Sequence, residues 1–321
     1  MRVLATGASG FLGRAVAAAL VDAGHEVRTL QRRPSSVPGA TDVLGSVADP
    51  THVALAMEGV EGVVHLAAKV SLAGDPDDFR RVNVEGTRTL LDAAERAGVA
   101  RFVQVSSPSV AHTGSSLAGV GAEPASPEHA RGDYARTKAA AELLALERDT
   151  ETMHVLAVRP HIVWGPGDTQ LIERVVERAR RGRVPLLSGG RALIDTTYVD
   201  NAASAIVAAL HRADAAHGKA YVVTNGEPRP VADILAGICL AAGVPVPRRS
   251  IPAGLARAAG SAVERVWAIR PGSDEPPMTR FLAEQLSTAH WFDQRETRAA
   301  LDWAPTVTID EGLRRLAAHY A

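Results

Sequence analysis

The sequence predicts an α/β fold in which a doubly wound parallel sheet is followed by a smaller α/β lobe towards the C-terminus. Short apolar, β-rich runs alternate with helical patterns, which is typical of parallel strands covered on both faces by helices. Strands are predicted at Arg2–Thr6, Glu26–Leu30, Gly62–Ala67, Arg101–Ser106 and His154–Arg159. Helices are predicted between them, including Arg14–Ala23 and Phe79–Ala97.

A glycine-rich turn follows the first predicted strand and opens the first helix. Glycine permits the tight turn and lets the backbone approach a pyrophosphate, while the helix N-terminus presents free N–H groups to the phosphates. A plain strand–helix turn is the alternative, but the position directly after the first strand favours a Rossmann-type dinucleotide site. The turn is Thr6-Gly7-Ala8-Ser9-Gly10-Phe11-Leu12-Gly13, and the predicted cofactor contacts in it are Gly7, Ser9, Gly10, Phe11, Leu12 and Gly13.

The end of the second predicted strand indicates which dinucleotide binds. NAD sites usually place Asp or Glu here for the ribose 2′-hydroxyl, and NADP sites place Arg here for the 2′-phosphate. This chain has Gln31 followed by Arg32 and Arg33. A guanidinium fork suits a phosphate dianion, so the residues favour NADP(H), with NAD(H) as the second choice. A solvated basic loop is the alternative interpretation.

The regular alternation of strands and helices ends after Pro160, where Pro and Gly recur and divide the chain into shorter elements. We therefore predict a dinucleotide-binding domain formed by residues 1–160 and 195–225. Residues 161–194 and 226–321 are predicted to form the substrate domain. A chain of 321 residues is long enough to bury a core in each.

Composition excludes several classes of protein. A net charge of −1, from 35 basic and 36 acidic residues, argues against a nucleic-acid partner. The single cysteine, Cys239, excludes an internal disulfide framework and fits a reducing compartment, so we expect a cytoplasmic protein. The uncharged stretch from Ile234 to Pro247 is too short to span a bilayer. No metal site is predicted.

Tyr134 and Lys138 lie four residues apart in a predicted helix and so share one face. A tyrosine hydroxyl is a poor acid–base at neutral pH, and a nearby ammonium stabilises its phenolate. A surface pair is the alternative. Ser106 and Ser107 end an apolar strand, where ligands of open α/β folds bind, although serine pairs also form ordinary turns.

These motifs together resemble the extended short-chain dehydrogenase/reductase family over nearly the whole chain. The resemblance implies a two-lobed fold with the cofactor on the larger lobe and the substrate in the cleft. It rests on the glycine-rich turn, His65-Leu66-Ala67-Ala68, Asn83-Val84-Glu85-Gly86-Thr87, Ser106-Ser107, Tyr134-x-x-x-Lys138, Arg159-Pro160 and Tyr198-Val199-Asp200-Asn201.

The resemblance also implies roles for individual residues. Tyr134 is implied as the acid–base, Lys138 as the residue that holds the nicotinamide ribose and lowers the pKa of the tyrosine, and Ser107 as the residue that orients the substrate oxygen. Asn83 is implied as structural support. Further implied cofactor contacts are Val47, Leu66, Ala67, Ala68, Lys69, Val105, Pro160, Ile162 and Val163. Two positions depart from the family pattern: Ser46-Val47 stands where an Asp is frequent, and His161 where Gly is frequent.

Within the family the chain is most similar to the 3β-hydroxysteroid dehydrogenase branch, which includes sterol dehydrogenases and 2-alkyl-3-oxoalkanoate reductases. The branch implies hydride transfer between a nicotinamide and a ketone or secondary alcohol of an apolar or carboxylated substrate, of the 3-keto acid or 3-hydroxysteroid type. The similarity rests on residues 106–110, 193–201, 277–281, 290–292, 301–305 and 311–313.

Two other functions are weighed against this one. Nucleotide-sugar epimerases and dehydratases share the lobes, but many carry an Arg where this chain has Ile194, and dehydratases place acidic residues where Pro108-Ser109 follows Ser107. Non-catalytic NADP-binding sensors commonly lack the Tyr–Lys pair that this chain has.

A small-molecule substrate is the expected partner, and the family resemblance implies a homodimer formed through helices that include Phe79–Ala97 and Tyr134–Glu147. Residues 252–268 carry apolar side chains at helical spacing. Such a helix could contact a membrane surface or cover the substrate cleft, and packing in the core is the alternative.

Overall fold

The computed structural model describes residues 1–71, 74–112, 114–269 and 280–321. Its strands are β1 (Arg2–Thr6), β2 (Glu26–Gln31), β3 (Ala40–Leu44), β4 (Gly62–His65), β5 (Arg101–Val105), β6 (Leu117–Val120), β7 (His154–Pro160), β8 (Val163–Trp164), β9 (Leu186–Leu187), β10 (Leu193–Ile194), β11 (Thr197–Tyr198), β12 (Ala220–Val223), β13 (Arg229–Pro230), β14 (Ser250–Ile251) and β15 (His290–Phe292).

Its α-helices are α1 (Phe11–Asp22), α2 (Pro50–Met57), α3 (Pro76–Phe79), α4 (Gly86–Ala97), α5 (Gly132–Leu146), α6 (Ile172–Arg180), α7 (Val199–His211), α8 (Ala213–Ala216), α9 (Val231–Ala241), α10 (Ala253–Ile269), α11 (Arg280–Gln285), α12 (Arg295–Leu301) and α13 (Ile309–Tyr320). A π-helix spans Arg80–Glu85, and 3-10 turns span Pro108–Ala111 and Ser188–Gly190.

The larger lobe is a seven-stranded sheet in the order β3-β2-β1-β4-β5-β7-β12, in which every neighbouring pair is parallel. One face packs on α1 and α7, and the other packs on α2 and α4. The predicted doubly wound α/β fold is therefore confirmed. The sequence prediction omitted β3, because this edge strand is largely exposed and has no continuous apolar run.

Two predicted helices differ in detail. Helix α1 begins at Phe11, before the predicted start, because Gly13 lies inside its first turn. The predicted helix Phe79–Ala97 is a composite of the end of α3, the π-helix and α4. The π-helix carries Asn83, whose side chain bonds away from the helix to the loop after β4.

The smaller lobe is a mixed sheet in the order β13-β10-β15-β6, beside the two-stranded pairs β8–β11 and β9–β14. Its core lies between α6, α9 and α13. Leu117–Val120 joins this sheet although it lies between β5 and β7 in the chain. Leu301 and Trp303, near the C-terminus, pack in the core of the larger sheet. The chain therefore also crosses between the lobes at residues 117–120 and 301–303, in addition to the predicted crossings. The domain boundaries remain a prediction.

Helix α10 covers most of the stretch for which a membrane or core contact was considered. Leu255 is 66% exposed, and Ala258, Ala259 and Ala262 are also exposed, so this stripe does not pack in the core. The side chains of Val266 and Trp267, and the motif residues 277–279, lie outside the described residues. In the part of the chain that is described, no helix is long and apolar enough to cross a membrane.

Candidate active site

The glycine-rich turn is held by two close backbone contacts. Gly7 has φ +77°, and a Cβ atom there would lie 2.9 Å from the backbone of Ala67. A Cβ atom on Gly13 would lie 2.2 Å from the Gly7 carbonyl oxygen. Both positions therefore require glycine, and together they bring the turn, the start of α1 and the end of β4 into one layer.

Gly10 is different, because a Cβ atom there would meet only the Gly7 oxygen, at 3.4 Å. It is the N-cap of α1, and no side chain caps that helix end. The first-turn N–H groups of α1, at Phe11, Leu12 and Gly13, therefore have no acceptor within the helix and none from a capping side chain. This cradle fits the pyrophosphate of a dinucleotide, and half-buried Ser9 borders it.

A directional hydrogen-bond chain ties the turn to the next strands. The Thr87 hydroxyl donates to the Asn83 carbonyl at 2.7 Å, so it must accept from His65 Nε2, 3.0 Å away. His65 Nδ1 then has no proton and accepts from the Thr6 hydroxyl at 2.7 Å, and Thr6 Oγ1 accepts from the Ala67 N–H. Burial lowers the pKa of His65 to about 3, so the imidazole is neutral and Nδ1 carries no proton.

Arg32 and Arg33 are exposed just beyond β2. Gln31 turns away from them, since its amide donates to Thr29 Oγ1 at 2.9 Å and to Asp42 Oδ1 at 3.0 Å. Among the described residues neither arginine has an ion pair, so both guanidinium groups remain available to an anion at this strand end.

Other predicted cofactor residues lie around the same sheet edge, but not all of their side chains face it. Val47 is buried against Gly86, where a Cβ atom would lie 2.9 Å from its side chain. The Lys69 ammonium pairs with Asp78 at 2.8 Å and lies over the Phe79 ring. Leu66, Ala67, Ala68 and Lys69 follow β4, Val105 and Pro160 end β5 and β7, and Val163 begins β8.

Asn83 links this edge to the helix that carries the predicted catalytic pair. Its Oδ1 accepts from the Lys69 N–H at 2.7 Å, and its Nδ2 donates to the Lys69 carbonyl and to Thr137 Oγ1 at 3.0 Å. Thr137 belongs to α5 and in turn donates to the Asp133 carbonyl. The supporting role that the resemblance implies for Asn83 has this physical basis.

Helix α5 places Tyr134 and Lys138 on one face. This face lies beside the end of β5 and the loop after it, which carries Ser107. Lys138 is 3% exposed and donates from Nζ to the Val105 carbonyl at 2.6 Å. Burial lowers the pKa of Lys138 to about 8. Burial also raises the pKa of Tyr134 to about 12, and a hydrogen bond with Ser107 partly opposes that rise. The direction is opposite to the one that the resemblance implies, because burial outweighs the other influences on the phenol.

A buried ion pair fixes α5 on the sheet. The guanidinium of Arg159 on β7 forms two hydrogen bonds with the Glu142 carboxylate, one of them at 2.9 Å, and donates a third to the Glu123 carbonyl. Their side chains are 2% and 1% exposed. Glu142 lies one turn after Lys138, so the pair sets the height and rotation of the helix that carries the Tyr–Lys face.

A cavity of about 270 Å³ lies in the cleft and is bordered by Ser107 and Tyr134. Most of its surface is apolar. Its other lining residues are Pro108, Ser109, His112, Leu117, His161, Ile162, Trp164, Leu171, Ile194, Thr196, Val231, Ile234, Leu235, Ile238, Gln285, Leu286 and His290. No Asp, Glu, Lys or Arg occurs among these described lining residues.

Three histidines form part of the cavity wall. The His161 and His290 rings lie 5.9 Å apart, and His112 meets His290 edge-to-face at 4.7 Å. His161 Nδ1 donates to the Asp195 carbonyl at 2.6 Å, which leaves Nε2 as an acceptor. Burial lowers the pKa of His161 to about 4, so the ring is neutral at physiological pH. In the described chain no group of histidine, cysteine or acidic residues is arranged to hold a metal ion.

Ile162 has a left-handed backbone, with φ +45°, which is strained for a β-branched residue. It is held by a hydrogen bond from the Thr197 N–H to its carbonyl and by the Thr197 hydroxyl on the preceding carbonyl. The strained residue is one of those that line the cavity.

Sequence reasoning missed several residues of this site. His112 and the α9 residues of the cavity wall gave no motif, since α9 resembles any apolar helix. Glu142 was also missed, although a carboxylate four residues after Lys138 in an apolar helix was a usable indication of a buried partner.

Comparison with known proteins agrees with the fold and the motifs. Residues 3–224 match the model of the NAD dependent epimerase/dehydratase family. The chain belongs to this family. It is 40% identical over 329 residues to a 2-alkyl-3-oxoalkanoate reductase of Stenotrophomonas maltophilia, with 100% of each chain covered.

A second relative and a solved structure agree with this family assignment. A 3-beta-hydroxysteroid dehydrogenase of Mycolicibacterium neoaurum is 31% identical, over 99% of this chain and 91% of that protein. A short-chain dehydrogenase/reductase superfamily protein from Agrobacterium tumefaciens with bound NAD has a TM-score of 0.75 at 25% identity, over 99% and 97% of the chains. The predicted resemblance is confirmed, and the chain is an NAD(P)-dependent oxidoreductase of the branch that contains these reductases and hydroxysteroid dehydrogenases.

Proposed function

We propose that the protein is an NADP(H)-dependent reductase or dehydrogenase that acts on a ketone or secondary alcohol with a large apolar part. The observation that carries the proposal is the cavity, in which the Tyr134 and Ser107 hydroxyls border a wall that is otherwise mostly apolar. The similarity to a 2-alkyl-3-oxoalkanoate reductase and to a 3-beta-hydroxysteroid dehydrogenase supports it.

The nicotinamide, when bound, supplies or accepts the hydride. Tyr134 donates its proton to the ketone oxygen during reduction, and the Ser107 hydroxyl stabilises the oxygen as charge develops on it. A tyrosine whose pKa is raised keeps its proton until the oxygen becomes basic enough to take it. Lys138, charged below pH of about 8, faces the cofactor edge from α5 and is proposed to hold the ribose.

The substrate class follows from the wall of the cavity. Ile194, where many sugar-nucleotide enzymes have Arg, lines the cavity together with side chains of α9. An apolar wall gains free energy by burying alkyl or steroid carbon and offers a diphosphate no charge partner among the described residues. We therefore propose a substrate of the 3-keto acid or 3-hydroxysteroid type and rank nucleotide sugars second.

The proposed cofactor is NADP(H), because the two exposed guanidinium groups after β2 suit a 2′-phosphate. Arg32→Ala is expected to raise KM for NADPH about tenfold, the size of one lost charge-assisted contact, and to leave KM for NADH unchanged. Arg14→Ala, on α1, is the matched control. Equal efficiency of the wild type with both cofactors would contradict the assignment.

The activity is tested with 3-keto acids, ketosteroids and nucleotide sugars, each assayed with NADPH and with NADH. We expect NADPH oxidation with one of the first two classes. Turnover of a nucleotide sugar alone would favour the epimerase function instead. Tight NADPH binding with no oxidation across the panel would favour a sensor.

A further inference from the structure

His161 is fixed in the cavity wall by the backbone between β10 and β11. Its Nδ1 donates to the Asp195 carbonyl at 2.6 Å. Asp195 is itself held at both ends. Its N–H donates to the His290 carbonyl at 2.8 Å. Its carboxylate accepts from the Thr224 hydroxyl at 2.7 Å and from the Gly226 N–H at 3.1 Å. One ring nitrogen of His161 is therefore committed to a rigid acceptor.

The other nitrogen, Nε2, is available to a ligand in the cavity. It has no hydrogen-bond partner among the described residues, and it is not sealed in the protein interior. His161 lines the cavity together with Ser107 and Tyr134. Because Nδ1 carries the proton of the neutral ring, Nε2 offers only a lone pair. A ligand that bonds to Nε2 must therefore arrive with the proton of that hydrogen bond.

The rings packed near His161 are uncharged at physiological pH. Phe292 meets the His161 ring edge-to-face at 5.1 Å, and His290 lies 5.9 Å away. Burial lowers the pKa of His290 to about 3 and also lowers that of His112, which packs against His290. Both nitrogens of His290 are engaged in hydrogen bonds, and both nitrogens of His112 are fully buried. His161 is therefore the histidine of this wall whose second nitrogen reaches the cavity.

The charged groups nearby are paired with other parts of the protein. The Asp195 carboxylate is held at the larger sheet, and beyond His112 the Arg131 guanidinium lies 3.5 Å from the Glu284 carboxylate. Tyr134 keeps its proton, because burial raises its pKa to about 12. Among the described lining residues, His161 is thus the group that can become the counter-ion of an anionic ligand.

The Asp195 carbonyl prepares the His161 ring for a positive charge. Burial lowers the pKa of His161 to about 4, and the bond to this carbonyl opposes that effect. A ring that carries protons on both nitrogens keeps the bond from Nδ1 and strengthens it, since a charged donor bonds more tightly. A carboxylate at Nε2 supplies the missing anion. Neutral imidazole, carboxylate and one proton from solvent then become imidazolium and carboxylate in contact.

We propose that His161 binds the carboxyl group of the substrate and takes up a proton from solvent as the substrate enters. The proposal rests on the function proposed above and narrows its substrate class to 3-keto acids. A diphosphate carries more than one negative charge, which a single imidazolium does not balance. A ketosteroid brings no acid group to this nitrogen.

Binding of octanoate and octanamide tests the proposal without turnover. The two ligands have the same chain, and only octanoate ionises. The protein is saturated with NADPH, or with NADH if that binds more tightly. Calorimetry in phosphate and in Tris, whose ionisation enthalpies differ, should show uptake of about one proton per octanoate at pH 7 and none with octanamide. Between about pH 6 and pH 8, Kd for octanoate should rise by up to about tenfold per unit, and Kd for octanamide should stay constant.

A variant shows whether His161 takes up this proton. His161→Gln keeps a polar side chain that cannot ionise, so proton uptake should disappear. At pH 6 its Kd for octanoate should rise by at least about tenfold, and its Kd for octanamide should change less than about threefold. His319→Gln is the matched control, because His319 is an exposed histidine on α13 outside the cavity wall, and it should bind both ligands like the wild type.

NMR reports the charge of the ring directly. In ¹⁵N-histidine protein, the ring resonances of His161 are assigned by their loss in His161→Gln. On addition of octanoate at pH 7 they should change from those of a neutral ring to those of an imidazolium. Resonances that stay those of a neutral ring while octanoate is bound would contradict the proposal.

The calorimetry separates this proposal from the proposed function. Octanoate that does not bind, or that binds without proton uptake and with a constant Kd, overturns the proposal even if a ketone of the panel is reduced. These wild-type measurements apply even if His161→Gln does not fold. Proton uptake that persists in a folded His161→Gln also overturns it, because another group then takes the proton. If octanoate binds with uptake that depends on His161 and no ketone is reduced, only the proposed function fails.

Discussion

The two sides of the cleft are built by different means. The predicted cofactor side is held by backbone contacts at Gly7 and Gly13 and by a hydrogen-bond chain through His65, all within short motifs. The proposed substrate side is the cavity, which takes its wall from β10, α9, the 3-10 turn at Pro108 and the residues around α11, all far apart in the sequence. The structure of the first side is therefore determined by close backbone contacts. That of the second side is determined by the side chains that tertiary packing brings together.

The largest expected effect separates the two sides directly. Tyr134→Phe keeps the ring and removes the proton donor at the cavity wall. We expect kcat to fall about 10²–10⁴-fold, the usual contribution of one general acid, while NADPH affinity stays within about twofold. Stopped-flow turnover and fluorescence titration of NADPH measure the two quantities. Wild-type turnover in this variant would remove Tyr134 from the mechanism.

Helix α5 serves both sides, and its anchor is the ion pair between Arg159 and Glu142. Arg159→Met leaves a buried carboxylate without its partner, which typically costs about 3–5 kcal/mol of unfolding free energy. Adding Glu142→Leu should restore most of that loss, because no carboxylate is then buried without its guanidinium partner. Urea unfolding of the two variants checks this. A double variant as unstable as the single one would show that packing, not charge, holds the helix.

Lys138 gives the helix a pH-dependent stability. Its pKa is lowered to about 8 by burial, against an ordinary value of 10.5, so between those pH values the unfolded chain binds more protons than the folded one. Stability therefore rises with pH across this window, by up to about 3 kcal/mol. Lys138→Met should lack this rise. The check is the difference in urea unfolding free energy between the two proteins from pH 7 to pH 10, and a constant difference would contradict the shift.

Substitutions of two glycines in the glycine-rich turn have the smallest expected effects. They separate a loss of stability from a loss of cofactor affinity. Gly13→Ala places a methyl group against the Gly7 carbonyl and should cost roughly 1–3 kcal/mol of stability. Gly10→Ala has room and should cost less than about 1 kcal/mol. Its methyl group nevertheless fills the cradle, so NADPH affinity should fall about tenfold. Thermal unfolding and NADPH titration distinguish the two variants, and equal stability losses would contradict the close approach of the Gly7 carbonyl to Gly13.

The sequence was informative where one local constraint decides the structure. Residues close together in the sequence determine the turn at Gly7, the Tyr134–Lys138 face and the ends of the strands. The apolar runs of the larger sheet predicted the fold class. Edge strand β3 was not predicted from the sequence, because an exposed strand needs no apolar run. The π-helix before Gly86 was predicted as ordinary helix, since its hydrogen bonds span only one residue more than those of an α-helix.

The substrate side could not be predicted in the same way. His161 is neutral because the fold buries its ring, its tautomer is set by the Asp195 carbonyl, 34 positions away, and its neighbour His290 comes from β15. The raised pKa of Tyr134 depends on how deeply the folded chain buries the phenol, which spacing to Lys138 does not reveal.

The left-handed backbone of Ile162 has a consequence for protein engineering. Glycine would adopt that conformation without the strain of order 1–3 kcal/mol that a branched side chain incurs there. A search for more thermostable variants would therefore tend to select glycine at this position. The same change would remove the side chain of a residue that lines the cavity, so selection for heat resistance alone would enlarge the cavity.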